Sequence, residues 1–204
     1  MILVGNQRGG AKNLALHLLK EENEHVEVHE LRGFASNSLM AALNEAYAIS
    51  RATRCKQFLF SLSLNPPKNE NVSTETFEQA IEQAEERLGL NNQPRAIVFH
   101  EKNGRRHCHV VWSRIKVVEM KAVQLSFSKR KLNTLSRELF LEHGWTMPAG
   151  LMQSKARDPR NFTLAQWQQA KRIGKDPKQI KAVFQECWSL SDTQSTFTSA
   201  LKDH

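Results

Sequence analysis

The dipeptide Asn103-Gly104 lies between two runs of apolar, strand-forming residues and limits the possible folds more than any other part of the sequence. Both central residues of a two-residue hairpin turn need positive φ angles, which asparagine and glycine adopt readily. The sequence therefore predicts a β-hairpin whose strands include residues 96–100 and 107–115. In this register His100 and His107 lie directly opposite each other.

Three histidines converge on one face of this predicted hairpin. Directly opposed residues of antiparallel strands have Cβ atoms about 5 Å apart, which brings His100 next to His107. His109 returns to the same face because side chains alternate along a strand. Three neutral imidazoles suit Mn²⁺, Zn²⁺ or a similar ion and leave coordination positions open, as in a catalytic metal site. The alternative is a trio of histidines on a solvated strand face.

Apolar periodicity predicts alternating strands and helices in the rest of the chain. Further strands are predicted at residues 2–4, around Val26 and Val28, and at 58–64, with a loop at 6–10. Helices are predicted at residues 11–22, from Ser36 or Asn37 to about Arg51, from Ser73 to Gly89, and at 128–143. We therefore expect an α+β fold, an antiparallel sheet with helices packed on one face.

The chain is basic, with a formal net charge of +8 over 204 residues, which favours a polyanionic partner. The candidate DNA-binding residues are Arg8, Lys12, Arg105, Arg106, Arg114, Lys129, Arg130 and Lys131. A metal ion beside phosphate-binding cations suits phosphodiester chemistry. Peptide hydrolysis fits less well, because the sequence has no HExxH motif.

The sequence has no signal peptide and no apolar stretch of transmembrane length. Its three cysteines, Cys55, Cys108 and Cys187, are far apart and show no CxxC spacing. Such an odd, scattered set fits a reducing compartment, and we expect a cytoplasmic protein.

The composition shifts after Pro148-Ala149-Gly150, and residues 163–201 have helical periodicity and several basic residues. We expect one domain that contains the three histidines at residues 1–147, which the resemblance described below makes a nuclease domain, and a helical extension at 148–204 that clamps DNA. The last residues stop within an amphipathic pattern, so we also expect the chain to be a fragment of a longer protein.

His100, six further residues and then His107-Cys108-His109 resemble the histidine triad of the conjugative relaxases, the plasmid mobilization nucleases. Glu142-His143-Gly144 resembles the helix end often found downstream of that triad, and the resemblance covers about residues 1–147. It implies a palm-like antiparallel sheet of the HUH endonuclease type. It also implies one divalent metal ion, for which we expect Mn²⁺ or Mg²⁺.

The resemblance implies an activity as well. Relaxases cleave one strand of plasmid DNA at an origin of transfer, and the 5′ end of the DNA becomes linked to the protein. The expected partners are therefore single-stranded DNA at that origin and accessory relaxosome proteins, in the bacterial cytoplasm.

Two positions near the triad depart from the pattern of the family. The family often has an acidic residue two places after the first histidine and an asparagine four places after the last, where this chain has Lys102 and Ser113. Glu101 is acidic but one place early. In an ideal hairpin it points away from the metal, so we expect a cross-strand ion pair with Arg106 first, and a catalytic or ligand-orienting role second.

The nucleophile is the larger departure. Relaxases usually place a tyrosine in the first helix, but the single tyrosine of this chain, Tyr47, falls in the second predicted helix. His17 holds the position that looks equivalent, and a few relaxases use histidine. A neutral imidazole is a competent nucleophile near pH 7, whereas a phenol has a pKa of about 10. We expect His17 to be the nucleophile, with Tyr47 as the alternative.

Two other functions remain open from the sequence. One is a non-catalytic DNA-binding module in which the histidines hold a structural metal ion or none. The other is a replication-initiator or transposase nuclease, which is expected to have a tyrosine after the triad. This chain has no tyrosine there.

Overall fold

The computed structural model describes residues 1–19, 25–102, 104–152 and 164–202. The chain divides into two compact units, Met1–Met147 and Pro148–His204. In the second unit, the described helices are α5 (Ala149–Met152), α6 (Leu164–Arg172), α7 (Pro177–Leu190) and α8 (Gln194–Lys202). The predicted helical content of this segment is therefore present, while its role as a DNA clamp stays a prediction. None of the described helices of the chain is long and apolar enough to cross a membrane.

The first unit is built on a five-stranded antiparallel sheet. Its strands are β1 (Ile2–Arg8), β2 (His25–Arg32), β3 (Leu59–Asn65), β4 (Arg95–Lys102) and β5 (Arg105–Ser113), in the order β1-β3-β5-β4-β2. A small hairpin follows, made of β6 (Ile115–Lys116) and β7 (Lys121–Ala122). The helices are α1 (Ala11–Leu18), α2 (Leu39–Ser50), α3 (Thr74–Leu88) and α4 (Ser128–Glu142). The α+β prediction is confirmed.

The predicted hairpin has the predicted register. His100 pairs with His107, and Lys102 pairs with Arg105 across the turn. Gly104 has φ +66°, the positive value predicted for the second turn residue, while Asn103 lies outside the described residues.

The expectation that helices cover one face of the sheet is wrong, because they cover both. Leu59, Val98 and Val111 pack in one core with α1 and α2. Their neighbours along the same strands, such as Phe60 and Trp112, pack in a second core with α3 and α4. The central strands are apolar on both faces, so each face needs a cover to keep it from water.

β1 is longer than predicted. Asn6, Gln7 and Arg8, expected in a loop, continue the strand because they pair with residues of β3. Gly5 is required inside this strand. A Cβ atom there would lie 2.5 Å from Cζ of Phe60 and 2.6 Å from Cδ1 of Leu132.

Helix boundaries follow the capping residues. Ser73 caps α3 by accepting a hydrogen bond from the Thr76 amide at 3.3 Å, and Gly89 ends the helix with φ +68°, as predicted. The start of α2 differs from the prediction by one or two residues, because Ser38 accepts from the Ala41 amide at 3.3 Å and so caps the helix.

Candidate metal centre and active site

The three histidines of the hairpin form a compact cluster, here called the histidine triad. Ring centroids lie 5.2 Å apart for His100 and His107, 4.8 Å for His100 and His109, and 5.3 Å for His107 and His109. One nitrogen from each ring can serve as a ligand, and these nitrogens all lie within 4.8 Å of one another. His100 is buried, with 4% of its surface exposed, while the other two rings are half-buried.

The strands place these rings through the pairing of β4, β5 and β3. His107 lies opposite His100 on β4, and His109 lies opposite Ser63 on β3. All four side chains therefore share the face of the sheet that α1 and α2 cover.

The end of α1 also contacts the histidine triad. Nε2 of His100 lies 2.7 Å from the carbonyl oxygen of Leu18. A carbonyl can only accept, so Nε2 carries the proton and donates it, and Nδ1 is the deprotonated nitrogen. Histidines that bind metals commonly donate their second ring nitrogen in this way, which fixes tautomer and ring orientation.

Burial favours the neutral form of His100 and His109. Desolvation, reinforced by repulsion from the neighbouring His100, His107 and His17 when they are protonated, lowers the pKa of His109 to about 3. Desolvation also lowers the pKa of His100, against the opposing effect of its hydrogen bond to Leu18. Metal ions bind only the neutral imidazole, so the chemistry of the donor set fits a divalent metal ion.

His17 lies in the last turn of α1 with its side chain exposed, one residue before the Leu18 carbonyl that contacts His100. A proton on His17 would lower the pKa values of both His100 and His109, so His17 is within electrostatic range of the triad. The structure thus brings a fourth histidine to the same end of the sheet.

Tyr47 lies elsewhere. It belongs to α2, is 46% exposed and packs its ring on Phe58, with centroids 5.7 Å apart. Phe58 precedes β3 and is five residues from Ser63, the partner of His109. At about 3.3 Å per residue this corresponds to roughly 16 Å along the strand.

Glu101 lies on the face of the sheet opposite the histidine triad, as its position in the hairpin predicts. The expected ion pair with its cross-strand neighbour Arg106 is not among the described contacts. Arg106 instead reaches Glu27 at 3.3 Å, donates to Oγ1 of Thr74 at 2.9 Å, and stacks 4.0 Å above the ring of Phe99. The guanidinium of Arg106 therefore contacts a carboxylate of β2 and an aromatic ring.

The predicted basic residues do not all gather around the triad. Arg105 does lie on the triad's face, two residues before His107, and donates to the Pro66 carbonyl at 2.9 Å. Arg8 and Lys12 lie near the opposite end of the sheet, since Arg8 pairs with Leu59.

Arg114 is buried, with 6% of its surface exposed, so the expectation that it contacts DNA does not fit its position. It donates to Oε1 of Gln7 at 2.5 Å and to the carbonyls of Gln57 and Val123 at 2.6 and 2.9 Å. These contacts give it a structural role. Lys129, Arg130 and Lys131 are exposed in the first turn of α4, which belongs to the other face of the sheet.

Sequence reasoning missed two parts of this site. Ser63 and Asn65 lie beside His109 on the triad's face, where Oγ of Ser63 accepts from Nδ2 of Asn65 at 3.0 Å. The alternation of serine and leucine in β3 was a signal for this polar strip. The Leu18 carbonyl left no signal in the sequence, because a main-chain group does not depend on residue type.

Comparison with known proteins agrees with this geometry. The profile of the family described as "Relaxase: MobA/VirD2-like, nuclease domain" matches residues 14–145, well over half of the chain. The match includes the histidine triad and His17. No curated protein and no solved structure matches the chain significantly. On the family match, this chain belongs to the relaxases with a MobA/VirD2-like nuclease domain.

Proposed function

We propose that this chain nicks and rejoins one strand of DNA at a plasmid origin of transfer, with a divalent metal ion, Mn²⁺ or Mg²⁺, held by His100, His107 and His109. The observation that carries the proposal is the Leu18–His100 hydrogen bond, which ties the helix of His17 to the histidine triad. When bound, the metal polarises the phosphoryl oxygens and offsets the charge of the transition state. Single-stranded DNA at the origin and accessory relaxosome proteins are the proposed partners, in the bacterial cytoplasm.

His17 is the proposed nucleophile. A nitrogen lone pair of its imidazole forms a bond to phosphorus while the bond from phosphorus to the 3′ oxygen breaks. The imidazolium then gives up a proton, and the 3′ oxygen leaves as a hydroxyl group. The product is a phosphoramidate that links the 5′ end of the DNA to the protein, and attack by a 3′ hydroxyl reverses the step.

Two further groups have proposed roles. Arg105, on the triad's face beside His107, is placed to contact a phosphate of the DNA strand. Glu101 points to the other face, so any effect on catalysis has to pass through β4 rather than through direct contact with the reacting phosphate.

The test of metal-dependent nicking uses the whole chain and a library of single-stranded oligonucleotides. We expect protein–DNA adducts that survive SDS in the presence of Mn²⁺, with none in EDTA or in His100→Ala. The matched control is His25→Ala, because His25 is an exposed histidine of β2 outside the histidine triad. Full activity in EDTA would refute the metal role, and DNA binding without any adduct would favour a non-catalytic binding module.

The nucleophile is identified by mass spectrometry of the trapped adduct. We expect the DNA to be attached to His17. The adduct should be lost in His17→Ala and should still form in Tyr47→Phe. The linkage should also be labile in acid, because a phosphoramidate hydrolyses in acid more readily than a phosphotyrosine. A label on Tyr47 would show that the nucleophile is the tyrosine of α2.

A further inference from the structure

A cleft rich in cations lies where α3 ends and α4 begins, and we call it the cationic cleft. It consists of two adjoining cavities of about 380 and 900 Å³ that share Arg87 and Lys131 in their linings. The cations that line it are Arg54, Arg87, Lys116, Lys121, Arg130 and Lys131. The carboxylates in its lining are Glu86 and Glu119, of which Glu119 pairs with Lys116 at 3.2 Å, and Arg87 pairs with Glu138 on α4. Arg54, Lys121, Arg130 and Lys131 have no ion pair among the described contacts, so the surface remains positive.

Phe127 lines the smaller cavity in an unfavourable conformation. Its φ is +57°, in the left-handed region that bulky side chains rarely adopt, and 77% of its surface is exposed. Among the described residues, Asn92 and Met120 are the other non-glycine residues with positive φ, and Met120 lines the larger cavity. Burial of the ring does not compensate the strain at Phe127, because most of the ring faces solvent.

The residues after Phe127 are also unfavourable for local stability. Lys129, Arg130 and Lys131 occupy the first turn of α4 and are exposed. Positive charges there oppose the helix macrodipole. Lys131 has a structural contact, because its Nζ donates to the carbonyl of Arg87 at the end of α3 at 2.6 Å. Fold stability does not account for the strained, exposed ring of Phe127 or for the charges of Lys129 and Arg130, whereas a bound polyanion with aromatic groups would.

We propose that the cationic cleft binds the phosphates of single-stranded DNA while an unpaired base stacks on Phe127. Cations that displace counterions supply affinity for any phosphate backbone, and base stacking on an aromatic ring tolerates any sequence. This inference rests on the proposed function and extends it to a second DNA contact.

The cleft is separate from the histidine triad. β5 runs six residues from His107 to Ser113, about 20 Å, and the cleft lies beyond that end of the strand. α3 and α4 pack on the face opposite the triad. A DNA strand that contacts both places therefore extends well past the scissile phosphate.

The first experiment measures binding of a fluorescein-labelled oligothymidine by anisotropy, with full-length protein carrying His100→Ala. Asparagine tolerates positive φ, so Phe127→Asn removes the ring without changing the backbone, and Phe127→Tyr keeps the ring. We expect Phe127→Asn to weaken binding at least about five-fold, the lower range for loss of one stacked base. Phe127→Tyr should stay within about two-fold, and the melting temperature of Phe127→Asn should not fall. Equal affinity for Phe127→Asn and Phe127→Tyr would overturn the stacking role.

The second experiment measures the salt dependence of the same binding. Each phosphate contact to a single strand contributes about 0.7 to the slope of log K against log salt concentration. Replacing Arg130 and Lys131 together by glutamine should make the slope shallower by about 1.4. The matched control replaces Arg51 and Lys56, two exposed cations outside the cleft, and should leave the slope close to its original value. An equal change of the slope in both double variants would refute the assignment of phosphate contacts to Arg130 and Lys131.

Competing ligands test the class of partner. The competitors are an oligoglutamate of equal charge and a DNA duplex. If either binds as tightly as oligothymidine and loses as much affinity in Phe127→Asn, the assignment to single-stranded DNA is refuted. Nicking at the histidine triad and single-strand binding in the cationic cleft can also be refuted independently of each other. Oligothymidine binding in the His100→Ala background does not depend on nicking, and adduct formation by the unaltered triad does not depend on oligothymidine binding.

Discussion

The histidine triad joins one buried ring with two half-buried rings, and desolvation favours the neutral imidazole at His100 and His109. His100 is held by a main-chain carbonyl, while His107 and His109 are held by their places in the sheet. The convergence of the three rings follows from a hairpin whose strands are close in the sequence, so it could be predicted, whereas the contact with the Leu18 carbonyl could not. The partner of Arg106 could not, because Glu27 comes from a strand about 80 positions earlier in the chain.

The depressed pKa of His109 makes the stability of the metal-free protein depend on pH. Its pKa is about 3 in the folded protein and 6.5 in a model peptide, so the unfolded chain binds more protons between these values. Stability should therefore fall as the pH drops below 6.5, by up to about 2 kcal/mol at pH 5. Urea denaturation in EDTA at pH 7.5 and pH 5 measures this loss. His109→Asn should lose less stability between these pH values than the unaltered protein. An equal loss in the two proteins would contradict the assignment of the pH dependence to His109.

The contact between β1 and α4 depends on the absence of a side chain at Gly5. The amide of Leu3 also donates to Oγ of Ser136 on α4 at 3.0 Å, which fixes the helix over the strand. Caps and periodicity predicted where the helices lie, but not that the strand extends to Arg8. That extension comes from pairing with β3, some fifty residues away in the sequence.

We expect Gly5→Ala to destabilise the protein by about 1–3 kcal/mol, because the added methyl group overpacks a filled core. The ring of Phe60, which it would meet at 2.5 Å, is fully buried and cannot move aside at low cost. Val4→Ala on the same strand is the control, since Val4 is 49% exposed and should lose less than about 1 kcal/mol. Urea denaturation of the unaltered protein, Gly5→Ala and Val4→Ala measures the free energy of unfolding. Equal losses of stability in the two variants would contradict the overpacking at Gly5.

The first unit places its proposed chemistry and its proposed second DNA contact at opposite ends of one sheet. The histidine triad and His17 lie on the face covered by α1 and α2, and the cationic cleft lies beside α3 and α4. Helices on both faces leave the strand ends as the places where polar side chains gather. The described residues of the second unit form four helices, and the contribution that we expect from this unit is DNA clamping.

Metal binding should stabilise the whole protein by mass action. At a Mn²⁺ concentration about 100 times the dissociation constant, the gain is about 2.7 kcal/mol, or roughly 5–10 °C in melting temperature for a protein of this size. Differential scanning fluorimetry with and without EDTA measures the shift. His100→Ala should abolish it, while His25→Ala should retain it. A shift of equal size in His100→Ala would place the metal elsewhere.

Local sequence patterns were enough to predict the hairpin, the convergence of His100, His107 and His109, the α+β class and most helix ends. These features depend on side-chain alternation, turn chemistry and caps, which act between neighbouring residues. Long-range packing, in contrast, established that helices cover both faces, that Arg114 is buried, that Leu18 holds His100, and that cations from four segments form one cleft. Each of these joins residues far apart in the chain, and packing and strand pairing select such contacts from many that local patterns allow.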